Sequence, residues 1–409
     1  MKKLLPNLLL SYSSSLFSFI IILVLARLLG AENFYWVALG LAAGGFVAPL
    51  INFGSERTFV RDAVGAGANE TVDKMVLSNL GQRLVVCLAV SVALVLASNF
   101  YTSNIADAIS MVSLSLWAGL IGLYPTSWFD YSHDTRRQNF FGLSERICSV
   151  FLIGLLYFYT KVPADTASIG LFLLTIRVLF IYLQVKSWWF HHATTHFQLK
   201  LSLPRQNGNG INFQIAIASF ANSCVGYGNQ LILAANNNSI ELSAYSLAFQ
   251  IMMIALIFQG QAIRVTSRSI AEACSLKGTV LVSLIYNTSL LFLGSIILAI
   301  GAWVALQILP NFLEDPRFEA MAEFSIFLCI WVVLSGIGLS ITQHNLALNQ
   351  ENLYLQTAIG GALVALLLGF LFIPNYGALA AALILLFVHS SMILINTIRL
   401  LYVIHVREA

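Results

Sequence analysis

The chain has 409 residues, 58% of them hydrophobic and only 10% charged, with a formal net charge of +3 and a mean hydropathy of +0.83. So little charge cannot cover a water-soluble domain, so lipid is the solvent for most of this protein. The apolar runs are continuous rather than alternating, which selects helices over a closed barrel.

The first predicted span, 8–28, follows Lys2 and Lys3 and imitates a secretory signal. Its apolar part is too long for one and no small-x-small cleavage site follows, so it reads as a retained span with the lysines in the cytoplasm. Asn7, Ser11, Ser14 and Ser18 fall on one face of it, and Arg27 stands near its end. Further spans are predicted at 35–54, 82–101, 105–124, 143–160 and 168–188. Six more follow at 211–235, 240–262, 279–304, 320–342, 353–373 and 376–398. With twelve spans and a cytoplasmic start, only Arg27, Lys161 and Arg317 fall outside and Arg177 falls within a span. The rest of the 21 Lys and Arg are cytoplasmic. That bias supports the count and puts both termini in the cytoplasm.

The most polar stretch, Lys186 to Gly210, ends in a Gly/Asn cluster and divides the spans six and six. The expected fold is therefore all-α, with about twelve transmembrane helices in two six-helix lobes around a central cavity. The lobes are 1–205, including the cytoplasmic linker, and 206–409. An even span number gives both halves the same orientation. The halves are faintly alike at a shift near 209, where "ERTFVRDAV" corresponds to "IRVTSRSIAEA".

Polar residues within apolar spans mark candidate sites. Span seven carries Ser219, Asn222, Gly226 and Asn229, and span eight carries Gln250, Gln261, Arg264 and Arg268. Helix packing through small and amide residues accounts for single cases. Matching stripes at the start of both halves favour a shared water-filled cavity lined by Ser11, Ser14, Ser18, Asn222, Asn229, Gln250 and Gln261. Arg177 lies roughly 14 Å from either interface at a rise of 1.5 Å per residue, too deep to snorkel. It either faces a cavity or pairs with polar groups of a neighbouring helix. No Asp or Glu is expected at mid-membrane, since Asp130, Asp134 and Glu145 are placed in the inner loop after span four. Cations at depth without anions imply an anionic ligand.

Other chemical signals are weak. "HHATTH" (His191, His192, His196) has metal-compatible spacing without a nearby carboxylate or cysteine in the sequence, so no metal site is expected. The five cysteines form no Cys-x-x-Cys pair and read as free thiols. There is no Gly-Lys-Ser phosphate loop and no nucleophile elbow, so neither ATP use nor catalysis is expected.

The stretch "ARLLGAENFYWVALGLAAGGFVAPLINFGSERTFVRDAV", Ala26 to Val64, resembles the start of bacterial polysaccharide flippases. These are the O-antigen, Wzx-type members of the multidrug/oligosaccharidyl-lipid/polysaccharide exporter superfamily. Ala26, Arg27, Leu28, Leu29, Gly30, Glu32, Phe34, Gly54 and Arg61 fit the pattern, whereas Tyr35 stands where a glycine is common. The resemblance implies alternating access and a lipid-linked oligosaccharide on undecaprenyl pyrophosphate, moved from the cytoplasmic to the periplasmic leaflet of the inner membrane. It further implies that cavity arginines hold the pyrophosphate. Arg27 matches by motif and Arg264 by layout, with Arg177 added on its depth and Arg57, Arg61 and Arg268 as a cytoplasmic gate. No cofactor or nucleic acid is expected; an ion gradient or the membrane potential is left as the drive. Partners are the substrate, membrane lipid and other polysaccharide assembly proteins. Three rivals stand beside this reading: a multidrug extruder of the same fold, a membrane-embedded polymerase or glycosyltransferase, and a scaffold without transport.

Overall fold

The computed structural model describes residues 4–52, 69–132, 134–160, 165–192, 211–236, 238–275, 279–348 and 350–408. These are almost entirely helical, with no strand among them. The helices are α1 (Leu4–Asn52), α2 (Asn69–Tyr101), α3 (Ile105–Gly119), α4 (Thr126–Tyr131), α5 (Thr135–Thr160), α6 (Thr166–His192) and α7 (Ile211–Ser223). They continue with α8 (Asn229–Ala235), α9 (Ser239–Ser275), α10 (Val280–Leu313), α11 (Met321–Ala347) and α12 (Glu351–Glu408).

Among the described residues, eight helical stretches are long and apolar enough to cross a membrane. Two are of double length, 12–52 and 351–406, and each breaks at a glycine: Gly30 (φ 66°) and Gly377 (φ 55°). Only glycine adopts that backbone without a Cβ clash, and both turns fall near the gaps expected between spans, after 28 and after 373. The outer faces invert the soluble pattern. On α2, Leu88, Val92 and Leu96 are exposed while Val90 and Leu94 are buried. A helix that is apolar on its exposed face is built for lipid. The chain is a multi-pass membrane protein.

Two compact units emerge, one of Met1–Leu29 with Asn33–Ser223, the other of Gly30–Glu32 with Cys224–Ala409. The expected boundary at 205/206 lies outside the described residues, as do Arg57, Arg61 and His196.

In the first unit α3 packs along α6 and against the second half of α1. Small residues let the backbones approach. A Cβ on Gly44 would come within 2.4 Å of the Ala118 Cβ and 2.6 Å of the Ser115 carbonyl, and one on Gly170 within 2.2 Å of the Ser113 hydroxyl. Without hydrophobic drive between helices in lipid, such close contact is what holds them together. Beyond α3 a 3-10 turn (Leu120–Leu123) ends at Tyr124, which is extended (φ −60°, ψ 135°) because Pro125 follows it.

In the second unit α9, α10, α11 and α12 pack together around Ile270, Leu291, Ile341 and Leu400. Span seven continues there as a π turn, Cys224–Gly228, before α8. Gln259 crosses this core, donating to the Ser295 hydroxyl at 2.9 Å and the Val332 carbonyl at 2.7 Å.

Candidate functional site

The break after α3 creates the polar interior of the first unit. A helix that stops within a buried protein interior leaves its last carbonyls without intrahelical partners. Here arginines supply the missing donors. Arg83 of α2, 1% exposed, donates to the Tyr124 carbonyl at 2.9 Å and the Gly122 carbonyl at 3.3 Å. Arg177 of α6, 2% exposed, donates through Nη1 to the Trp117 carbonyl at 2.7 Å.

Arg177 also forms the central ion pair. Its Nε donates to Glu145 Oε1 at 2.6 Å, and Glu145 is fully buried. The guanidinium carbon lies 5.2 Å from the Trp117 ring centroid and 5.5 Å from that of Tyr124, so aromatic faces complete its surroundings. The Tyr124 hydroxyl donates to the other carboxylate oxygen, Oε2. The extended backbone before Pro125 therefore has a use, since it drops the phenol of Tyr124 onto the acid. Arg146, the next residue on α5, sits with Nη1 3.7 Å from Glu145 Oε1.

Glu145 corrects the expectation that no acid lies at depth. Helix α5 begins at Thr135, not at 143 where the apolar run starts, so Glu145 is well inside the helix and level with Arg177. Of the two accounts of Arg177 that its depth allowed, the structure realises pairing with a neighbouring helix. Cations at depth do have an anion.

The other expected residues are spread over both units. On α1, Arg27 is exposed, while Ser14 and Ser18 are half-buried. The Ser18 hydroxyl bonds back to the Ser14 carbonyl at 3.0 Å, and Ser14 lies beside Gly142 of α5, where an added Cβ would sit 3.6 Å from its hydroxyl. The Ser11, Arg264 and Arg268 side chains lie outside the described residues. Asn222, Gln250 and Gln261 are half-buried. Asn229 is fully buried and reaches the Val225 and Ala381 carbonyls, each at 3.4 Å. In the histidine stretch, His192 Nε2 lies 3.3 Å from Asp134 Oδ2, a carboxylate that sequence distance had hidden.

The residues that the sequence did not single out are Glu145, Arg146, Tyr124, Trp117 and Arg83. One signal could have found the first. A guanidinium as deep as Arg177 needs a carboxylate on a neighbouring helix, and Glu145 lies within the bounds expected for span five.

A family model described as "Polysaccharide biosynthesis protein" matches residues 1–266. The chain belongs to this family. No curated protein matches it at a significant level of sequence similarity. Among solved structures, an inward-facing multidrug resistance MATE family transporter of the MOP superfamily is similar over 97% of this chain and 96% of its own. Its TM-score is 0.69 at 12% identity. The lipid II flippase MurJ in an inward closed conformation matches over 96% and 87%, with a TM-score of 0.59 at 16% identity. The MATE multidrug transporter DinF-BH matches over 98% and 94%, with a TM-score of 0.63 at 12% identity. At these identities the likeness establishes the fold, which these transporters and the flippase share.

Proposed function

We propose that this chain is a flippase that carries an undecaprenyl-pyrophosphate-linked oligosaccharide from the cytoplasmic to the periplasmic leaflet of a bacterial inner membrane. It works by alternating access, with twelve spans and both termini in the cytoplasm. The observation that carries the reading is the coincidence of a polysaccharide biosynthesis family with a transporter fold. A polysaccharide pathway whose member crosses the membrane many times needs its lipid-linked intermediates moved across. A pyrophosphate head group is an oxyanion that guanidinium forks hold well. Arg27 and Arg264 are the residues assigned to it by motif and layout, with Arg57, Arg61 and Arg268 at the cytoplasmic access. The prenyl tail stays in lipid, so only the head group needs a polar path.

The test is transport by the purified protein in vesicles. A fluorescent, pyrophosphate-linked glycan in one leaflet should become accessible to quencher in the other, and Arg27→Ala should slow this at least tenfold at equal protein content. The likeness to MATE transporters favours one rival, export of cationic drugs. Transport of a cationic rhodamine dye with no movement of the glycan would replace the flippase reading with that one.

A further inference from the structure

Three guanidiniums, those of Arg83, Arg146 and Arg177, are held in the first unit, and they are not equally satisfied. Arg83 is occupied by two carbonyls. Arg177 has Glu145, the Trp117 carbonyl and two aromatic faces. Glu145 itself is used up, with one oxygen taken by Arg177 Nε and the other by the Tyr124 hydroxyl. Arg146 gets the remainder. Its only carboxylate neighbour among the described residues is that shared oxygen at 3.7 Å, beyond hydrogen-bond length, and its buried Nε has no hydrogen-bond partner. Its side chain is 11% exposed, so it is neither sealed in nor solvated. One carboxylate beside two guanidiniums leaves a local charge of +1, and among the described residues no other carboxylate is paired with Arg146. Such an arrangement is costly unless an anion completes it.

We infer that Arg146 is an oxyanion-binding residue, and that it takes a phosphate oxygen of the lipid-linked substrate beside the permanent Glu145–Arg177 pair. This rests on the flippase reading for the identity of the ligand. The second support is the surface next to Arg146. Gly142 is one turn earlier on the same face of α5, lacks a side chain, and borders the hydroxyl of Ser14 on α1. One turn from Arg146 the surface of α5 is therefore bare of a side chain and meets a hydroxyl. Glu145 has the complementary task. By neutralising Arg177 it keeps the interior from binding an anion too tightly to release, and Arg146 remains as the exchangeable charge.

The test uses the full-length purified protein in detergent, with three probes: farnesyl pyrophosphate, inorganic pyrophosphate and phosphatidylglycerol. Binding and thermal stability are measured on the same samples for wild type, Arg146→Gln, Arg146→Lys and Arg177→Gln. Arg146→Gln should weaken farnesyl pyrophosphate binding about tenfold or more, the loss of one charge-assisted contact. Arg146→Lys should weaken it less, because the charge stays and the fork is lost. Arg146→Gln should keep its melting temperature, since Glu145 retains Arg177 and Tyr124. Arg177→Gln should lose stability because it leaves Glu145 buried and unpaired. Unchanged binding in Arg146→Gln overturns the inference alone, as does a loss of stability equal to that of Arg177→Gln. If Arg146→Gln does not accumulate, unchanged binding in Arg146→Lys overturns it. Phosphatidylglycerol bound as well as farnesyl pyrophosphate makes the ligand a bulk lipid headgroup and overturns the assigned source. Inorganic pyrophosphate bound as well as the lipid form does the same. A wild type that binds none of the probes overturns the flippase reading and the inference together.

Discussion

At the residue scale the second unit contains a polar clasp outside the apolar stretches. Asp315 accepts from the Ala31 amide at 3.0 Å, from the Arg317 amide at 3.1 Å and from the Arg317 guanidinium at 2.9 and 3.0 Å. The Arg317 side-chain hydrogen bonds hold the Asp315 carboxyl below its ordinary range, with the two backbone amides adding to the effect. A carboxyl lowered on folding stabilises above its unfolded pKa, near 3.9, and the contribution fades as pH falls through the lower folded value. The protein in detergent should therefore lose melting temperature as pH falls below the ordinary Asp pKa. Asp315→Asn should flatten part of that slope. Asp315→Ala should cost about 1–2 kcal/mol at neutral pH, since it also removes an N-cap; a melting curve identical to wild type would show that the clasp is idle. At Gly377 the constraint is steric. A Cβ there would fall 1.7 Å from Glu241 Oε2, the oxygen that accepts from the Ala378 amide at 2.7 Å. Combined with its positive φ, Gly377→Ala should cost about 1–3 kcal/mol, read as a lower melting temperature and reduced membrane level.

At the scale of elements, the contact of α1 with α3 sets what the first unit tolerates. Gly44 faces the Ala118 Cβ and the backbone at Ser115 and Gly119, so a larger side chain has nowhere to go but into main-chain atoms. Gly44→Leu should destabilise by about 1–3 kcal/mol or more and deplete the protein from membranes. Leu96→Ala, on the exposed lipid face of α2, should leave the level unchanged. Helices such as α3 and α10 were legible in the sequence because hydropathy alone defines them in lipid. The elements that carry polar chemistry were less so. Helix α5 opens with "TRRQNFFGLSER", and a hydropathy reading starts it two turns late, which turns Glu145 from a buried partner into a loop residue. The depth of Arg177 and its need for a partner were readable, but the partner's identity depends on which helices are neighbours, and no single span records that. The turns at Gly30 and Gly377 fall near the gaps read between spans, at 28–35 and 373–376, whereas the π turn at Cys224–Gly228 lies inside the expected span seven. The serine face of α1 was visible from its spacing, and part of it does border α5 at Gly142.

At the scale of the whole molecule, the distribution of cations and the charge of the proposed cargo lead to one prediction about energy. Most of the 21 Lys and Arg fall in segments that the twelve-span reading puts in the cytoplasm, and the sequence shows no nucleotide-binding motif. A pyrophosphate-linked substrate is an anion, and an anion leaving a compartment of negative interior gains about 2.3 kcal/mol per charge per 100 mV. The buried Glu145–Arg177 pair sums to zero, so it moves no net charge itself, and Arg146 adds one positive charge that partly offsets the cargo. Net charge should therefore move with each substrate, and an imposed potential should bias its direction. Vesicles loaded with the fluorescent pyrophosphate-linked glycan and clamped by potassium gradients with valinomycin would measure this. Transport out of the negative side should run faster than transport out of the positive side, and the ratio should grow with the clamped voltage. Arg146→Gln should steepen the voltage dependence of whatever transport remains, because one compensating charge is gone. Equal rates at both polarities would mean that a counter-ion neutralises the cargo in transit, and the drive would then have to be a coupled ion rather than the potential itself.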